Sequence, residues 1–492
     1  MAETLTTGSS AITPFLVAAM KLNCAGTVYR YSNNADGESV AYLCERAPSF
    51  TGVTQQYLLL HKREGGDAGN AIRAVQGGAQ ANAHVFIKNS TLANANSCAT
   101  PVNSIANCSA PVATPITASD DGVRRSEANF SDVEPTQFLQ PLNAALADLN
   151  VVTHVTVTPV VTHIYGVAVN TRLRNAMQSA QAAAGSLLLG CSVGDDSERC
   201  MPSLTSAQIG SLFVNLRLTD WRNLRYGGTA TSQNLFQTVA TSDQPSNRSI
   251  HLCLPVAGSG TLALFNTQFQ NAPCNQTLSE AIQVSTTPAL GIEPPATTTP
   301  AKVTHALDST ADIENCLEGL NNNTAVANFN TSGNPVTNGF RWAIGLLGIG
   351  QNPTGSKPYR FIKIDNASPS AHNVVEGRYK FWAELMTIGA VTDPLAQAMV
   401  STITNPTTLA NLNVAQTWGG TTGLLGLAIN QAAPPTNTAT VALGTLLNAA
   451  YDPARPVNPY TRATANGLSV NHCRIPSLPA GSRALPVFYP VN

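Results

Sequence analysis

The chain has 492 residues, of which 43% are hydrophobic and only 11% are charged, and its formal net charge is −1. This length allows two or three domains with substantial cores, and the hydrophobic content excludes a disordered chain. The near-neutral charge argues against nucleic acid as a partner, and no apolar run reaches the roughly 20 residues that a membrane helix needs. We therefore expect a globular protein that neither binds nucleic acid nor inserts into a membrane.

The first part of the chain alternates predicted strands and helices. A short strand ends in Gly8-Ser9-Ser10, and the following pattern ITPFLVAAMKLN is typical of a helix with a serine cap. The segments TVYRYS, SVAYLC and QQYLLLHKR are typical of strands, and the third leads through a glycine-rich turn into another helix. Residues 76 to 120 are rich in Ala, Asn, Ser and Pro and are interpreted as a surface insertion.

The middle of the chain repeats this alternation. VTHVTVTPVVTHIYGVAVN is dense in β-branched residues and predicts two strands or one long strand that crosses between domains. LTSAQIGSLFVNLRLTDW predicts a helix begun by a Thr/Ser cap, and SIHLCLPVAGSGTLALFNTQFQ predicts a strand, a turn and a helix. RWAIGLLGIG predicts a buried strand. Strands that alternate with helices predict an α/β architecture with largely parallel sheets.

The cysteines are even in number, and eight of them form close sequential couples. We expect the disulfides 24/44, 98/108, 191/200 and 253/274, with 316/473 as a long-range bridge. The ten residues are Cys24, Cys44, Cys98, Cys108, Cys191, Cys200, Cys253, Cys274, Cys316 and Cys473.

Disulfides on this scale indicate an oxidising compartment outside the cytoplasm, with buried free thiols as the alternative. No CxxC pair or Cys/His cluster has zinc spacing, so we expect no metal site. The first residues lack the basic and apolar regions of a secretory signal, and we expect a mature chain from which such a signal was removed.

Three strand-to-helix turns share one chemistry: Gly8-Ser9-Ser10, residues 65–69 (GGDAG) and residues 258–261 (GSGT). Small residues let the backbone approach a ligand, and free N–H groups at a helix start favour an anion. Hydroxyl side chains add groups that both donate and accept hydrogen bonds. One such turn alone is more often a structural cap. Three of them, together with Asp132 in an SDVEP turn, predict a site for a small anion.

The order of these segments resembles the periplasmic phosphate-binding proteins of ABC transporters, in the type II solute-binding superfamily. LTSAQIGSLFVNLRLTDWRNL is similar to a helix of that family, GSGTLALF to its anion turn, and FSDVEP to its Asp turn. IYGVAVN is similar to its crossover strand, WAIGLLGIG to a buried strand, and FIKIDNASPSAHNVVEGRYKFWAEL to the segment after it. The matches run in the family's order from about residue 6 to residue 390.

The resemblance implies an α/β fold of two lobes, with mixed sheets flanked by helices, two crossover strands and a ligand cleft between the lobes. It places lobe I in residues 1–158, with an insertion at about 76–120, and lobe II in residues 159–352. The rest of lobe I and a Pro/Asn/Thr-rich extension would occupy residues 353–492. The ligand-binding residues carried over by motif are Ser9, Ser10, Gly66, Asp67, Asp132, Ser259, Gly260 and Thr261.

One residue departs from the family's pattern. The family places an arginine four residues before the GSGT serine, where a guanidinium binds phosphate through two hydrogen bonds, and this chain has Pro255 there. Arg124 or Arg125 and Lys62 or Arg63 are the other sources of positive charge near the predicted site, and a solvated setting is expected for both pairs.

Enzyme motifs are weak in this chain. Residues 190–194 (GCSVG) match a G-x-S-x-G elbow, but a polar segment follows where the elbow needs a helix. We therefore expect a disulfide-closed surface loop, no catalysis and no cofactor. His154, His163 and His251 have no metal-ligand spacing and are interpreted as core or edge histidines.

The sequence thus predicts a periplasmic or extracellular solute-binding-like protein that closes around a small oxyanion such as phosphate. An ABC permease and self-association both stay open as further partners. The alternative is a structural, self-assembling cell-surface protein that reuses the scaffold without binding phosphate tightly. Pro255, the low charge and the Asn/Thr/Pro-rich insertions favour that alternative.

Overall fold

The computed structural model of the chain describes residues 1–32, 39–63, 67–76, 86–87, 98–108, 125–138, 155–214, 217–227, 232–270, 284, 289–294, 299–324, 339–352, 355–370, 373–374, 378–405, 408 and 426–427. In this part of the chain, 13 strands join into one mixed sheet flanked by helices, and two further pairs of short strands lie beside it. The predicted mixed α/β architecture is confirmed.

The first half of the sheet is built from the N-terminal residues. Its elements are β1 (Ala2–Gly8), α1 (Thr13–Asn23), β2 (Val28–Ser32), β3 (Ser39–Glu45), β4 (Tyr57–Arg63), α2 (Asp67–Gln76), β5 (Ile105–Cys108) and β6 (Ala128–Ser131). Strand β1 runs parallel to both β4 and β6, while β3 lies antiparallel between β4 and β2. Strand β5 pairs with β2 in parallel, so residues 105–108 extend the sheet edge within the segment interpreted as an insertion.

The second half is built from the middle of the chain. Its elements are β7 (Val157–Asn170), α3 (Thr171–Ala183), β8 (Ser203–Leu204), α4 (Ser206–Phe213), β9 (Arg225–Tyr226), β10 (Gln233–Asn234), α5 (Leu235–Thr238), β11 (Ile250–Pro255), α6 (Gly260–Gln270), β12 (Lys302–Leu307), α7 (Thr310–Asn322), β13 (Ala343–Gly348), β14 (Tyr359–Phe361) and β15 (Lys363–Ile364). Strand β11 is parallel to β12 and β13, and every residue of β11 is buried.

The chain then returns to the first half through β16 (Trp382–Ile388) and α8 (Pro394–Thr404), with β17 (Gly426–Leu427) also pairing with β7. Helix α8 packs on α1. One apolar core lies in the second half and includes Trp221, Trp342 and Phe265, whereas a second core joins Phe15 of α1 to Met399 of α8.

Strand β7 connects the two halves and is a single 14-residue strand. Its residues 157–164 pair with β16, and its residues 165–169 pair with β13. The change of partner therefore falls between Ile164 and Tyr165. The returning chain crosses at the same place, because the Tyr165 amide donates to the Phe381 carbonyl and the Tyr379 hydroxyl donates to the Tyr165 carbonyl at 2.7 Å. The chain thus crosses between the halves twice, once through β7 and once through residues 379–381, which lead directly into β16.

Local sequence signals explain why several helices begin where they do. Ser9 Oγ accepts a hydrogen bond from the Ala11 amide at the start of a short 3-10 turn, and Pro14 follows in the first turn of α1. Thr205 and Gln208 form a reciprocal capping box on α4, as the Thr/Ser pattern predicts. Asp393 caps α8 through a single hydrogen bond, which its side chain accepts from the Ala396 amide.

Four disulfides lie in the described part of the chain, and three of them are as predicted: Cys24–Cys44, Cys98–Cys108 and Cys191–Cys200. The fourth joins Cys253 to Cys316, so the predicted pairs 253/274 and 316/473 are wrong. Cys253 lies on β11 and Cys316 on α7, which packs directly on that strand, and their Cα atoms are 6.0 Å apart. Cys274 and Cys473 lie outside the described residues.

The segment that imitates a hydrolase elbow is a surface loop closed by Cys191–Cys200. Its carbonyl and amide groups are held by Gln178 of α3, which bonds Gly194 N, Asp195 O and Cys200 O. No helix follows Ser192, which agrees with the predicted disulfide-closed loop. Of the helices that the structure describes, none is long and apolar enough to cross a membrane.

Candidate functional site

The candidate site lies where strands from both halves end beside β7. Strand β1 ends at Gly8, and β11 and β13, which run parallel to each other, end at Pro255 and Gly348, next to the point at which β7 changes partners. In open α/β sheets, ligands bind in the crevice at the carboxyl ends of strands, where the strand order switches. The fold itself therefore creates a crevice at this position.

A cavity of about 50 Å³ occupies the crevice. Ser10, with Ala11 and Pro14, forms the wall from the first half, and Thr261 and Thr310 face it from the second half. The remaining wall comes from the crossing strand and from the end of β13: His163, Tyr165, Gly348, Gly350 and Gln351. One enclosed water needs roughly 10–15 Å³, so the cavity has room for a solute of a few heavy atoms.

The turns after β1 and β11 each contain a glycine with the same φ. Gly8 and Gly258 both have a φ of +102°, a conformation that other residues adopt only with strain, and each precedes a buried serine. Gly8 is doubly required, because a Cβ there would stand 1.9 Å from the Phe130 carbonyl oxygen. Around Gly258 there is open space. Helical backbone begins within three residues of each turn, so both place N–H groups beside the crevice.

Asp132 lies beneath the turn that begins α6. Its side chain is buried, and Oδ2 accepts a hydrogen bond of 2.8 Å from the Tyr165 hydroxyl and a longer contact of 3.4 Å from Thr261 Oγ1. A Cβ on Gly260 would stand only 1.6 Å from Asp132 Oδ1, so this glycine is what allows the carboxylate to approach the helix start. The Asp132 carboxylate thus lies at the start of α6, where the positive end of the helix dipole favours a negative charge.

His163 and Tyr165 are the residues of the site that sequence reasoning missed. They lie two apart on β7 and so point to the same side of the strand, with ring centroids 4.8 Å apart and ring planes at 90°. Burial lowers the pKa of His163 from 6.5 to about 4, so the imidazole is neutral at pH 7. The alternation His-Ile-Tyr in the crossing strand predicts that the first and third side chains share one face of the strand. It does not predict which face of the strand meets the crevice.

The lysine and arginine side chains near the site do not all have the solvated setting expected from the sequence. Of the described residues that line the cavity, none is a lysine or an arginine. Arg125 is exposed, and Arg124 lies outside the described residues. Lys62 is fully buried rather than solvated, and its ammonium donates to the Gly8 carbonyl at 2.7 Å and to the Arg63 carbonyl at 2.9 Å. This places a buried cation behind the first turn, where it holds the turn in position.

The structure brings some of the predicted ligand-binding residues together and separates others. Ser10 and Thr261 line the cavity, and Asp132 lies directly behind Thr261. Ser9 and Ser259 are buried in the turns; Ser9 acts as the cap already described. Gly260 begins α6 and makes room for the carboxylate. Asp67 begins α2, which lies against the site because Gly69 N donates to the Gly258 carbonyl, and Gly66 lies outside the described residues.

A second polar cluster lies away from the cavity, in the second half. His251 and His305 stack with their ring nitrogens 3.2 Å apart, His251 also contacts Glu293, and Arg341 forms an ion pair with Glu293 at 2.7 Å. Burial lowers the pKa of both histidines. Among the residues that the structure describes, no group of three or more His, Cys, Asp or Glu side chains is suited to hold a metal ion.

Comparison with known proteins gives matches in structure alone. No protein-family model and no curated protein matches the sequence. The fold resembles substrate-binding proteins of phosphate transporters. A substrate-binding protein of a phosphate ABC transporter from Clostridium perfringens, solved with bound phosphate, has a TM-score of 0.39 and 10% identity over 83% of this chain and 97% of its own.

An ABC-type phosphate transport receptor from Vibrio cholerae has a TM-score of 0.35 and 10% identity over 83% of this chain and 98% of its own. A phosphate-binding protein from Planctomyces limnophilus has a TM-score of 0.31 and 11% identity over 83% of this chain and 91% of its own. At these scores and identities the resemblance carries no inference about a ligand. The function of this chain has to be argued from its own residues.

Proposed function

We propose that the protein is an extracytoplasmic solute-binding protein that captures a small oxyanion of the size of phosphate in the crevice beside β7. The observation that supports this most is the cavity itself, which lies between strand ends of both halves and is faced by hydroxyl groups on opposite walls, Ser10 and Thr261. A pocket with a few convergent polar groups at a switch point is the typical setting of a ligand site in an α/β protein.

The proposed binding mode uses neutral groups. Backbone N–H groups at the two turns and the hydroxyls of Ser10 and Thr261 would contact the solute's oxygens, and Asp132 would oppose any further negative charge. Residues 1–158 and 353–492 would form one lobe and residues 159–352 the other. Closure of the lobes around the solute would occur at the partner change between Ile164 and Tyr165.

Four disulfides are typical of a protein that folds in an oxidising compartment, and we propose the periplasm or the cell exterior. There the protein would hand its solute to a membrane permease. In this proposal no bond of the solute is made or broken, and the protein is not an enzyme.

Isothermal titration of the purified protein with sodium phosphate tests the proposal. We expect saturable binding in the micromolar range, which the double variant Ser10→Ala/Thr261→Val weakens at least tenfold while it still unfolds cooperatively in a thermal scan. Thr51→Val, on an exposed loop between β3 and β4, is the matched control and should bind as the wild type does. Absence of heat with phosphate, arsenate and sulfate would overturn the proposal.

A second candidate function, self-association on the cell surface, is favoured by one observation. Val193, in the loop closed by Cys191–Cys200, and Leu188 and Leu189, which come just before that loop, have side chains that are 53%, 55% and 90% exposed. The loop is held rigidly on α3, so three apolar side chains are presented to solvent at little further entropic cost. Such a surface fits a second copy of the chain.

Multi-angle light scattering over a range of protein concentrations tests this second candidate. We expect the wild type to associate and Leu188→Ser/Leu189→Ser to remain monomeric. A concentration-independent monomer in both proteins would exclude it.

A further inference from the structure

A cover segment, residues 289–294, lies along the outer edge of the sheet in the second half. Strand β12 is the last strand of the sheet that the structure describes, and Ala289 exchanges two backbone hydrogen bonds with Ala306 of that strand, at 3.0 Å and 2.8 Å. A Cβ on Gly291 would stand 2.6 Å from the Thr304 carbonyl oxygen, so the segment lies directly against the strand. The cover segment thus occupies backbone groups that an open edge strand would offer to another chain.

Two histidine side chains hold the cover segment in place. The Gly291 amide donates to Nδ1 of His305 at 3.2 Å, and Nε2 of His251 lies 3.0 Å from Oε1 of Glu293. The rings are joined to each other by a 3.2 Å contact between Nε2 of His305 and Nδ1 of His251. Both rings and the Glu293 side chain are buried. A continuous chain of contacts therefore runs from one residue of the cover segment through both rings to another.

This chain of contacts determines where the two ring protons reside. Nδ1 of His305 accepts from an amide, so the neutral ring has its proton on Nε2. That N–H faces Nδ1 of His251, which accepts it, and the proton of His251 is then on Nε2, directed at Glu293. Neither Nδ1 can take a second proton without setting two N–H groups against each other. Protonation of either ring is therefore incompatible with the closed arrangement.

The surrounding charges do not compensate for a second proton. The charged groups that act on His251 are Glu293 and Arg341, and their ion pair of 2.7 Å already neutralises the carboxylate. On α7, the carboxylates of Asp312 and Glu314 are bonded to other side chains. The Lys302 ammonium donates to carbonyls at the end of α4. A proton added to either ring would thus leave a net positive charge in a buried cluster.

Burial acts in the same direction. It lowers the pKa of His251, against the raising effect of Glu293, and it lowers the pKa of His305 well below its usual value of 6.5. In an open segment, where water reaches the rings, both would regain the ordinary value. The closed state is therefore fully favoured above pH 6.5 and loses relative stability as the pH falls below 6.5.

We propose that the cover segment is an acid-released latch on the edge of β12, closed while His251 and His305 are neutral and opened when either ring takes a second proton. Opening exposes the outer N–H and C=O groups of β12, to which another extended strand can pair. The latch lies away from the cavity beside β7, so this inference does not depend on the proposed solute binding.

Hydrogen exchange of the full-length protein at pH 7.0 and pH 5.0 tests the latch, with residue-level mass spectrometry and correction for the intrinsic pH dependence of amide exchange. A single histidine with an open-state pKa of 6.5 changes the opening equilibrium about 25-fold between these pH values. We expect the protection of the Gly291 and Ala306 amides to fall at least tenfold at pH 5.0, while that of α1 stays within twofold. Unchanged protection of the two amides, or an equal loss in α1, would overturn the inference.

Substitutions separate the two histidines from other effects of acid. His251→Gln/His305→Asn keeps an N–H for Glu293 and an acceptor for Gly291 but does not titrate, so the loss of protection between pH 7.0 and pH 5.0 should shrink to less than threefold. His61→Gln is the matched control, because it removes a buried histidine that contacts a glutamate in the first half, and it should keep the wild-type loss. A tenfold loss in the double variant would overturn the inference.

Nitrogen-15 NMR of the wild-type imidazoles provides a test that does not require the variants to fold. At pH 7 both rings of the latch should be neutral, with the proton on Nε2. An imidazolium at either ring, or an Nδ1–H tautomer at His305, would overturn the inference.

Discussion

Gly8, at the end of β1, and Gly258, after β11, allow a matched pair of alanine substitutions. The two glycines have the same φ, and their surroundings differ. Gly8 and Gly258 share a φ of +102°, so alanine at either position costs about 1–3 kcal/mol of backbone strain. At Gly258 nothing stands within 4 Å of the new Cβ. At Gly8 the Cβ would lie 1.9 Å from the Phe130 carbonyl oxygen, which is more than 1 Å too close and requires the backbone to move.

Forced overpacking of this kind costs about 1–3 kcal/mol more. We therefore expect Gly8→Ala to lower stability by about 2–6 kcal/mol and Gly258→Ala by about 1–3 kcal/mol. Urea unfolding followed by circular dichroism measures both midpoints at one protein concentration. If Gly258→Ala lowers the midpoint as much as Gly8→Ala does, the close approach of β1 to β6 does not constrain residue 8, and the reasoning is refuted.

Three further predictions concern the polar core and the covalent links. Tyr165→Phe removes the shorter donor to buried Asp132 and should lower the free energy of unfolding by about 1–3 kcal/mol in thermal denaturation; a change below about 0.5 kcal/mol would contradict it. The pKa of His163 is about 4 in the folded state against 6.5 in the unfolded state. Its protonation therefore leaves the free energy of unfolding unchanged above pH 6.5 and lowers it as the pH falls from 6.5 towards 4. Between pH 6 and pH 5, wild-type stability should fall more steeply than that of His163→Gln, by about 1 kcal/mol per pH unit, and equal slopes would refute this. A non-reducing peptide map should contain the Cys253–Cys316 peptide, which a Cys253–Cys274 peptide would contradict, and Cys253→Ala/Cys316→Ala should lose about 2–4 kcal/mol.

Local chemistry made much of the fold predictable from the sequence. The β-branched run around residues 157–170 predicted two strands or one long crossing strand, and a Thr/Ser cap marked the start of α4. The three disulfides with short separations were predictable for the same reason, since residues 9 to 20 apart meet within one loop or hairpin. In each case the determining contacts are close in sequence.

The features that the sequence did not predict depend on contacts between distant segments. Cys253 meets Cys316 across 63 residues because α7 packs on β11, and no spacing rule contains that packing. Lys62 was expected in solvent, but its ammonium is buried because the carbonyls of Gly8 and Arg63 accept its protons. His163 lies against Gly348 at the cavity because the strand register sets Gly348 opposite Tyr165.

Trp382 lies at the partner change in β7, so its fluorescence can serve as an intrinsic probe of this position. Trp382 pairs with Ile164, the last residue before the change, and is buried in the same apolar core as Trp221 and Trp342. A rotation of one half of the sheet against the other at this position would alter the surroundings of the Trp382 indole. The emission of Trp382, isolated by comparison with Trp382→Phe, therefore reports the angle between the halves in unlabelled protein.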